Sequence, residues 1–299
     1  MPLTDAIGRV GLWTFQLDTL PMAKAQETAA EIEELGYGAI WVPEAAGRDA
    51  LVNSALLLSG TRRIAVATGI ATIWGRDPST AAMGHRTLTE AFPERFVFGL
   101  GISHPNLVGA RGHTWAKPVT AMRQYLDTMD KAPFMAIPAP PESPPRKVLA
   151  ALGPKMLELA SMRTDGAHPY FVPVEHTAFA RRELGEVPLL APEQAVVLET
   201  DPEKARAIAR NHMRIYLGLP NYTNNLRRMG FSDEDIDNGG SDRLVDAIVA
   251  WGDIDTVVSR VKAHHDAGAD HVCVQPVADP TQGFPIATIR RLSEALLPS

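Results

Sequence analysis

The sequence predicts a closed ring of parallel strands wrapped by helices, an α/β protein of the TIM (β/α)8 barrel class, on three observations. Strand-like runs end near Phe15, Pro43, Ala71 and Gly101, giving gaps of 28, 28 and 30 residues. Each gap holds one helical pattern, and one strand, one helix and two short loops need about 30 residues. A right-handed series of such units closes most readily into a barrel, with chemistry where the strands end. At 299 residues the chain exceeds one barrel only modestly, so residues 1–299 read as a single domain with inserted loops.

The elements follow in order. Arg9 to Phe15 reads as the first strand, and a helix from Pro21 to Leu35 is stopped by Gly36. Tyr37 to Val42 is a strand apolar on both faces, with Glu44 at its exit. The helix Ala50–Arg62 leads into Ile64 to Ala71, the clearest parallel strand, and Asp77-Pro78-Ser79 opens the next helix. Arg95 to Gly101 is the fourth strand and Pro118 to Met129 its helix. A proline-rich connector, Pro133 to Pro145, delays the fifth strand, Lys147 to Ala151. The helix Pro154–Arg163, a strand Gly166 to Val172 and a helix His176–Leu184 come next. Gln194 to Thr200 reads as the seventh strand, and Asp201-Pro202-Glu203 starts a helix. Residues 218–242, rich in Gly, Pro, Asn and Asp, break the pattern and predict an inserted lid or subdomain. A helix from Ile254 to Ala267, a last strand from His271 to Gln275 and a helix from Pro285 to Leu297 complete the ring.

Composition narrows the function. Hydrophobic residues at 45% and charged residues at 21% exclude a disordered chain, and a net charge of -6 argues against nucleic acid as partner. Cys273 is the single cysteine, so no intramolecular disulfide forms and a reducing compartment fits. No apolar leader or membrane-length run is seen, which makes the cytoplasm the expected location and a small molecule the expected partner. The nine histidines contain no HxH or HExxH pair, so no metal is expected. Gly-x-Ser-x-Gly and the P-loop are absent too, weakening hydrolase and nucleoside-triphosphatase readings.

Several strand exits hold residues that suit chemistry. Gly69 and Ile70 end the third strand, where a glycine in a buried strand marks a bulge, a close ligand or simple packing. Gly101, Ser103 and His104 end the fourth, the glycines admitting a ligand close to the backbone and the imidazole suiting proton transfer. Ala151, Leu152, Gly153 and Lys155 form a small-residue turn into a helix with proline in its first turn, an anion-binding arrangement or an ordinary helix start. Glu44 suits a general acid or base if shielded, or a solvated loop position. Trp13 and Trp74 fall near strand exits where they suit a flat ligand. An oxidoreductase with a planar cofactor accommodates all of these.

In their joint order, Gly36-Tyr37-Gly38-Ala39-Ile40-Trp41-Val42-Pro43-Glu44, Thr68-Gly69-Ile70, Phe98-Gly99-Leu100-Gly101-Ile102-Ser103-His104 and Ala151-Leu152-Gly153-Pro154 resemble the bacterial luciferase-like superfamily. The chain resembles its actinobacterial branch of coenzyme F420-dependent oxidoreductases over nearly its whole length. That resemblance implies a luciferase-like barrel, a non-proline cis peptide at Gly69-Ile70 backing the tricyclic ring, and the cofactor phosphate at Ala151-Leu152-Gly153, with Lys155 favouring the anion. Arg76 or Arg163 would assist the acidic tail. Sugar-phosphate dehydrogenases of the branch place a histidine after the acidic residue of the second strand exit, whereas Ala45 follows Glu44 here. His104 is then the expected proton donor or acceptor, with Glu44 contacting ring or substrate. Trp13, Trp74, Tyr170, Tyr222 and the 218–242 insertion would form an apolar pocket for an enone, imine or carbonyl. The resemblance also implies a homodimer. FMN in place of F420, with monooxygenase or reductase activity, and a non-catalytic flavin-binding barrel are the alternatives.

Overall fold

The computed structural model describes residues 2–277 and 283–298, and every strand pairing among them is parallel. The strands are β1 (Val10–Trp13), β2 (Ala39–Val42), β3 (Ala65–Thr68), β4 (Ala71–Thr72), β5 (Phe96–Gly101), β6 (Arg146–Leu149), β7 (Gly166–Ala167), β8 (Leu189–Leu190), β9 (Glu193–Val197), β10 (Val249–Trp251) and β11 (Val272–Pro276). They run in the order β10-β9-β11-β1-β2-β3-β5-β6-β7-β8, with β4 attached to β5. The ring closes through the segment 189–197. Leu190 pairs with Ala167 on one side, while its carbonyl accepts Asp270 N–H at 3.0 Å and the Pro192 carbonyl accepts Cys273 N–H at 2.9 Å on the other.

Alternate residues of each strand face opposite sides, so the strands bury two layers. Trp41, Ala67, Val97, Val148 and Cys273 form the inner cluster, joined by Leu3 and Ile7 of the short helix Leu3–Ile7. Leu12, Ile40, Val66, Phe98 and Leu149 face outward into the layer beneath the helices. A second core, including Met213, Leu226, Phe231 and Leu244, joins the helix Pro202–Leu217 to the residues inserted after it.

The predicted spacing holds through β5 and then loses register. Gly166 to Val172 is strand only over Gly166–Ala167, because Pro169 lacks a donor and Phe171 adopts a φ of 59° that turns the chain away. The seventh position is not one run ending at Thr200 but the broken pair β8 and β9, split around Pro192. Strand β10, which the sequence reading did not include, pairs outside the ring with β9. Residues 218–242 are mainly helical, comprising Pro220–Arg228, Asp233–Ile236 and a 3-10 turn at Asp237–Gly239. No described helix is long and apolar enough to cross a membrane.

Candidate active site

The barrel mouth holds a cavity of about 630 Å³. The exits of β3, β5, β6 and β7 and the helix Pro220–Arg228 surround it, and ten of the fourteen predicted site residues border it.

At the β3 exit the Gly69–Ile70 bond is cis, the geometry the resemblance implies. Trp13 Nε1 donates to the Gly69 carbonyl at 3.0 Å, and the Ile70 carbonyl accepts Glu44 N–H at 3.1 Å. Ile70 borders the cavity, whereas Gly69 is covered by Trp13 and His168. Gly101 on β5 leaves the space that the Ile70 side chain fills, since a Cβ there would lie 2.6 Å from Ile70 Cγ1. Ser103 follows with a φ of 63°. A non-glycine residue held in this region marks a constrained turn, and the turn delivers His104 to the cavity rim.

At the β6 exit, Ala151, Leu152, Gly153 and Lys155 border the cavity. Gly153 caps the helix Pro154–Arg163, where Pro154 has no N–H and Met156 N–H donates to the Gly153 carbonyl at 3.1 Å, which leaves the Lys155 N–H of the first turn without an intrahelical acceptor. Arg228 comes from the inserted helix, and its Nη2 lies 3.6 Å from where a Gly153 Cβ would stand. The turn thus has two cations beside it, Lys155 and Arg228. Arg76 and Arg163 do not supply this charge, because Arg76 is paired with Glu44 and Asp49 and Arg163 with Asp127 and Asp130.

Tyr170 and Tyr222 border the cavity with His168. The Tyr170 hydroxyl donates to Gln275 Oε1 at 2.9 Å and sits 2.7 Å from the Tyr216 hydroxyl. Burial pushes the Tyr170 hydroxyl well above its ordinary pKa and the Tyr216 hydroxyl up to about 12, so both stay neutral. His168 Nδ1 donates to the Ala191 carbonyl at 2.7 Å, its ring stacks on Trp41 at 4.4 Å, and burial lowers its pKa to about 4. Burial also lowers the pKa of His104, while the hydrogen bond from its Nδ1 to Asn221 Oδ1 works the other way.

Four predicted residues stand apart. Gly69 lies behind the wall, and Trp13 reaches the site only through Tyr170, 4.9 Å away between ring centres. Trp74 turns aside because Nε1 donates to the Ile102 carbonyl at 2.8 Å and its ring leans on His113. Glu44 is held below the β3 exit, where Oε2 accepts Thr72 N–H at 2.8 Å and Arg76 Nη1 at 3.1 Å. The sequence reading missed Asn221, Asn224 and Arg228, which border the cavity. Their spacing, i, i+3 and i+7, is one face of a helix, a signal available once Pro220 is taken as a helix start.

The profile of the luciferase-like monooxygenase family matches residues 11–271. A Mycobacterium tuberculosis protein named as a coenzyme F420-dependent oxidoreductase is 26% identical over 328 aligned positions, covering 89% of this chain and 93% of that protein. The 5,10-methylenetetrahydromethanopterin reductase of Methanolobus tindarius is 27% identical over 221 positions, covering 64% of this chain and 66% of that enzyme. Among solved structures, an F420-dependent secondary alcohol dehydrogenase in complex with an F420-acetone adduct matches with a TM-score of 0.73 at 16% identity, over 96% of this chain and 97% of that one. The FMN-bound oxygenating constituent of 3,6-diketocamphane monooxygenase from Pseudomonas putida matches with a TM-score of 0.68 at 16% identity, over 96% and 97%. With the family profile spanning most of its length, the chain belongs to the luciferase-like monooxygenase family.

Proposed function

We propose that this protein is a coenzyme F420-dependent oxidoreductase that transfers hydride between the deazaflavin and a small organic substrate, with reduction of the substrate the favoured direction. One observation carries the reading: a single cavity combines a cationic helix-start turn (Gly153, Lys155, Arg228), an apolar floor at Ile70 and an imidazole at His104. A flat ligand with an anionic tail fits that combination, because the turn offers the Lys155 N–H and two cations to a phosphate. The names of the relatives that span most of the chain support F420 as the cofactor.

The bound deazaflavin supplies a hydride equivalent. The chain does the rest. Ile70 supports the ring face, and Lys155, Arg228 and the Gly153 turn anchor the phosphate. Tyr170 and Tyr222 exclude water and line a pocket for an uncharged carbonyl, enone or imine. His104 gives a proton to the substrate atom where negative charge develops. Glu44 acts through the wall, tying the β3 exit by its own N–H and carboxylate. FMN in the same cavity is the second reading, favoured by the shared fold of the FMN-bound monooxygenase.

Titration with each cofactor separates the two. F420 binding that exceeds FMN binding is the expected result, and tight FMN binding with none of F420 would overturn it. Within the F420 reading, His104→Ala lowers kcat at least about 100-fold and leaves the cofactor Kd within about twofold; unchanged turnover removes His104 from the chemistry. The same reading includes a cytoplasmic homodimer, which sedimentation and cell fractionation measure.

A further inference from the structure

His104 and Asn221 are 117 residues apart in the chain and meet at the rim of the cavity, His104 Nδ1 lying 3.1 Å from Asn221 Oδ1. A carbonyl oxygen only accepts. Nδ1 therefore bears the proton, and in the neutral ring Nε2 holds a free lone pair with no hydrogen-bond partner among the described residues. A single neutral hydrogen bond biases a tautomer equilibrium by about fivefold, enough to decide which nitrogen exchanges protons.

Asn221 lies in the first turn of the inserted helix Pro220–Arg228. Thr223 and Leu226 are buried on that helix, and Leu226 belongs to the second core with Met213 and Phe231. Asn221, Asn224 and Arg228 face the cavity. The seat of the helix on its own core therefore sets where the Asn221 oxygen stands.

Resting on the proton-transfer role of His104 proposed above, we infer that Asn221 is a positioning residue: it holds the Nδ1 proton in both charge states of His104, so Nε2 is the atom that exchanges a proton with the substrate. In the reductive direction the substrate carbon accepts a hydride and its carbonyl oxygen gains the electron pair of the broken π bond. That oxygen takes the Nε2 proton of the imidazolium, leaving a neutral ring with Nδ1–H still on Asn221, and a solvent proton restores Nε2–H. His104 serves only with the inserted helix seated.

The titratable and charged groups facing this space are Tyr222, whose ring centre is 5.7 Å from that of His104, and Arg228 on the inserted helix. Lys155 on the helix Pro154–Arg163, with Tyr170 and His168 after β7, completes the set. Burial disfavours imidazolium and the Asn221 oxygen favours it, so the residue at position 221 has leverage on the ring.

The test is an NMR titration of the His104 ring in the full-length protein without added substrate, its signal assigned by loss in His104→Gln. Asn221→Asp raises the midpoint by about one unit or more, Asn221→Leu lowers it, and the alkaline limb of the kcat profile moves in the same directions while KM stays within twofold. Midpoints that move the same way in both variants, or in neither, overturn the inference. These midpoints are read without cofactor, so a failure to bind F420 would sink the proposed function and leave the coupling measurable.

Discussion

Arg76 Nη1 donates to Glu44 Oε2 at 3.1 Å, and the two side chains are only 8% and 7% exposed. The pair joins the β2 exit to the loop after β4, beneath the floor of the cavity. Removing one partner of a buried pair strands the other charge, at a cost of about 3–5 kcal/mol. Asp49 also contacts Arg76 at 2.6 Å, so the lower end of that range applies. Glu44→Ala is expected to lose about 3 kcal/mol in urea unfolding. A loss below 0.5 kcal/mol, ordinary for a surface change, would show that the pair contributes little.

Gly99 and Gly101 predict two different failures of one strand. A methyl at Gly99 meets the Thr68 carbonyl oxygen, which is backbone and cannot swing aside, whereas a methyl at Gly101 meets the Ile70 side chain. Gly99→Ala therefore costs folding stability, about 1–3 kcal/mol or more by overpacking. Gly101→Ala displaces Ile70 and weakens F420 binding about tenfold while remaining folded. Calorimetry and a cofactor titration on both variants check the contrast, and equal effects would remove it.

The anion turn has room but not for another anion. Gly153 has a φ of -98°, and a Cβ there finds only Arg228, at 3.6 Å or beyond. Gly153→Ala should leave the F420 Kd within about twofold. Gly153→Asp places a carboxylate against Arg228 and should weaken binding at least tenfold, as should Arg228→Ala, since one charge-assisted hydrogen bond is worth about 1.5–3 kcal/mol. Fluorescence titration reads all three. An unchanged Kd in Gly153→Asp would discard the assignment.

Stability should fall on both sides of a maximum in mildly acid solution. Burial pushes Glu193 up to about 8. Its protonated form is the folded one, so its contribution is complete below the unfolded value near 4.5 and is lost as pH rises through 8. Burial lowers His168, His176 and His271 to about 4, and His85 and His264 to about 3. These are neutral when folded, so their contribution is complete above pH 6.5 and is lost as pH falls through 4. Glu193→Gln should flatten the alkaline side, gaining on the parent protein by a few kcal/mol between pH 5 and 8. Urea midpoints across that range measure it, and parallel curves would contradict the burial argument.

The first half of the barrel was legible because its information is local. Apolar runs such as Val10–Trp13, Ala39–Val42 and Ala65–Thr68, with Asp77 capping the helix that follows the third of them, state strand and helix start within a few residues. The small residues Gly69 and Gly101 likewise stand at close approaches, of Trp13 and of Ile70. The second half blurred because two-residue strands such as Gly166–Ala167 and Leu189–Leu190 have too few positions to show a period and are held by neighbours far along the chain.

What the sequence alone determined, then, is the strand-and-helix alternation, the small and polar residues at the strand ends and the kinship of the chain. Only tertiary structure decided which polar groups meet. Glu44 is tied down because Arg76 reaches it, Trp74 is turned aside by the Ile102 carbonyl, and Asn221 and Arg228 enter the site because a separate core seats their helix over the mouth. Periodicity reports how each residue relates to its own element, whereas charge pairing and tautomer depend on distances between elements, which packing alone sets.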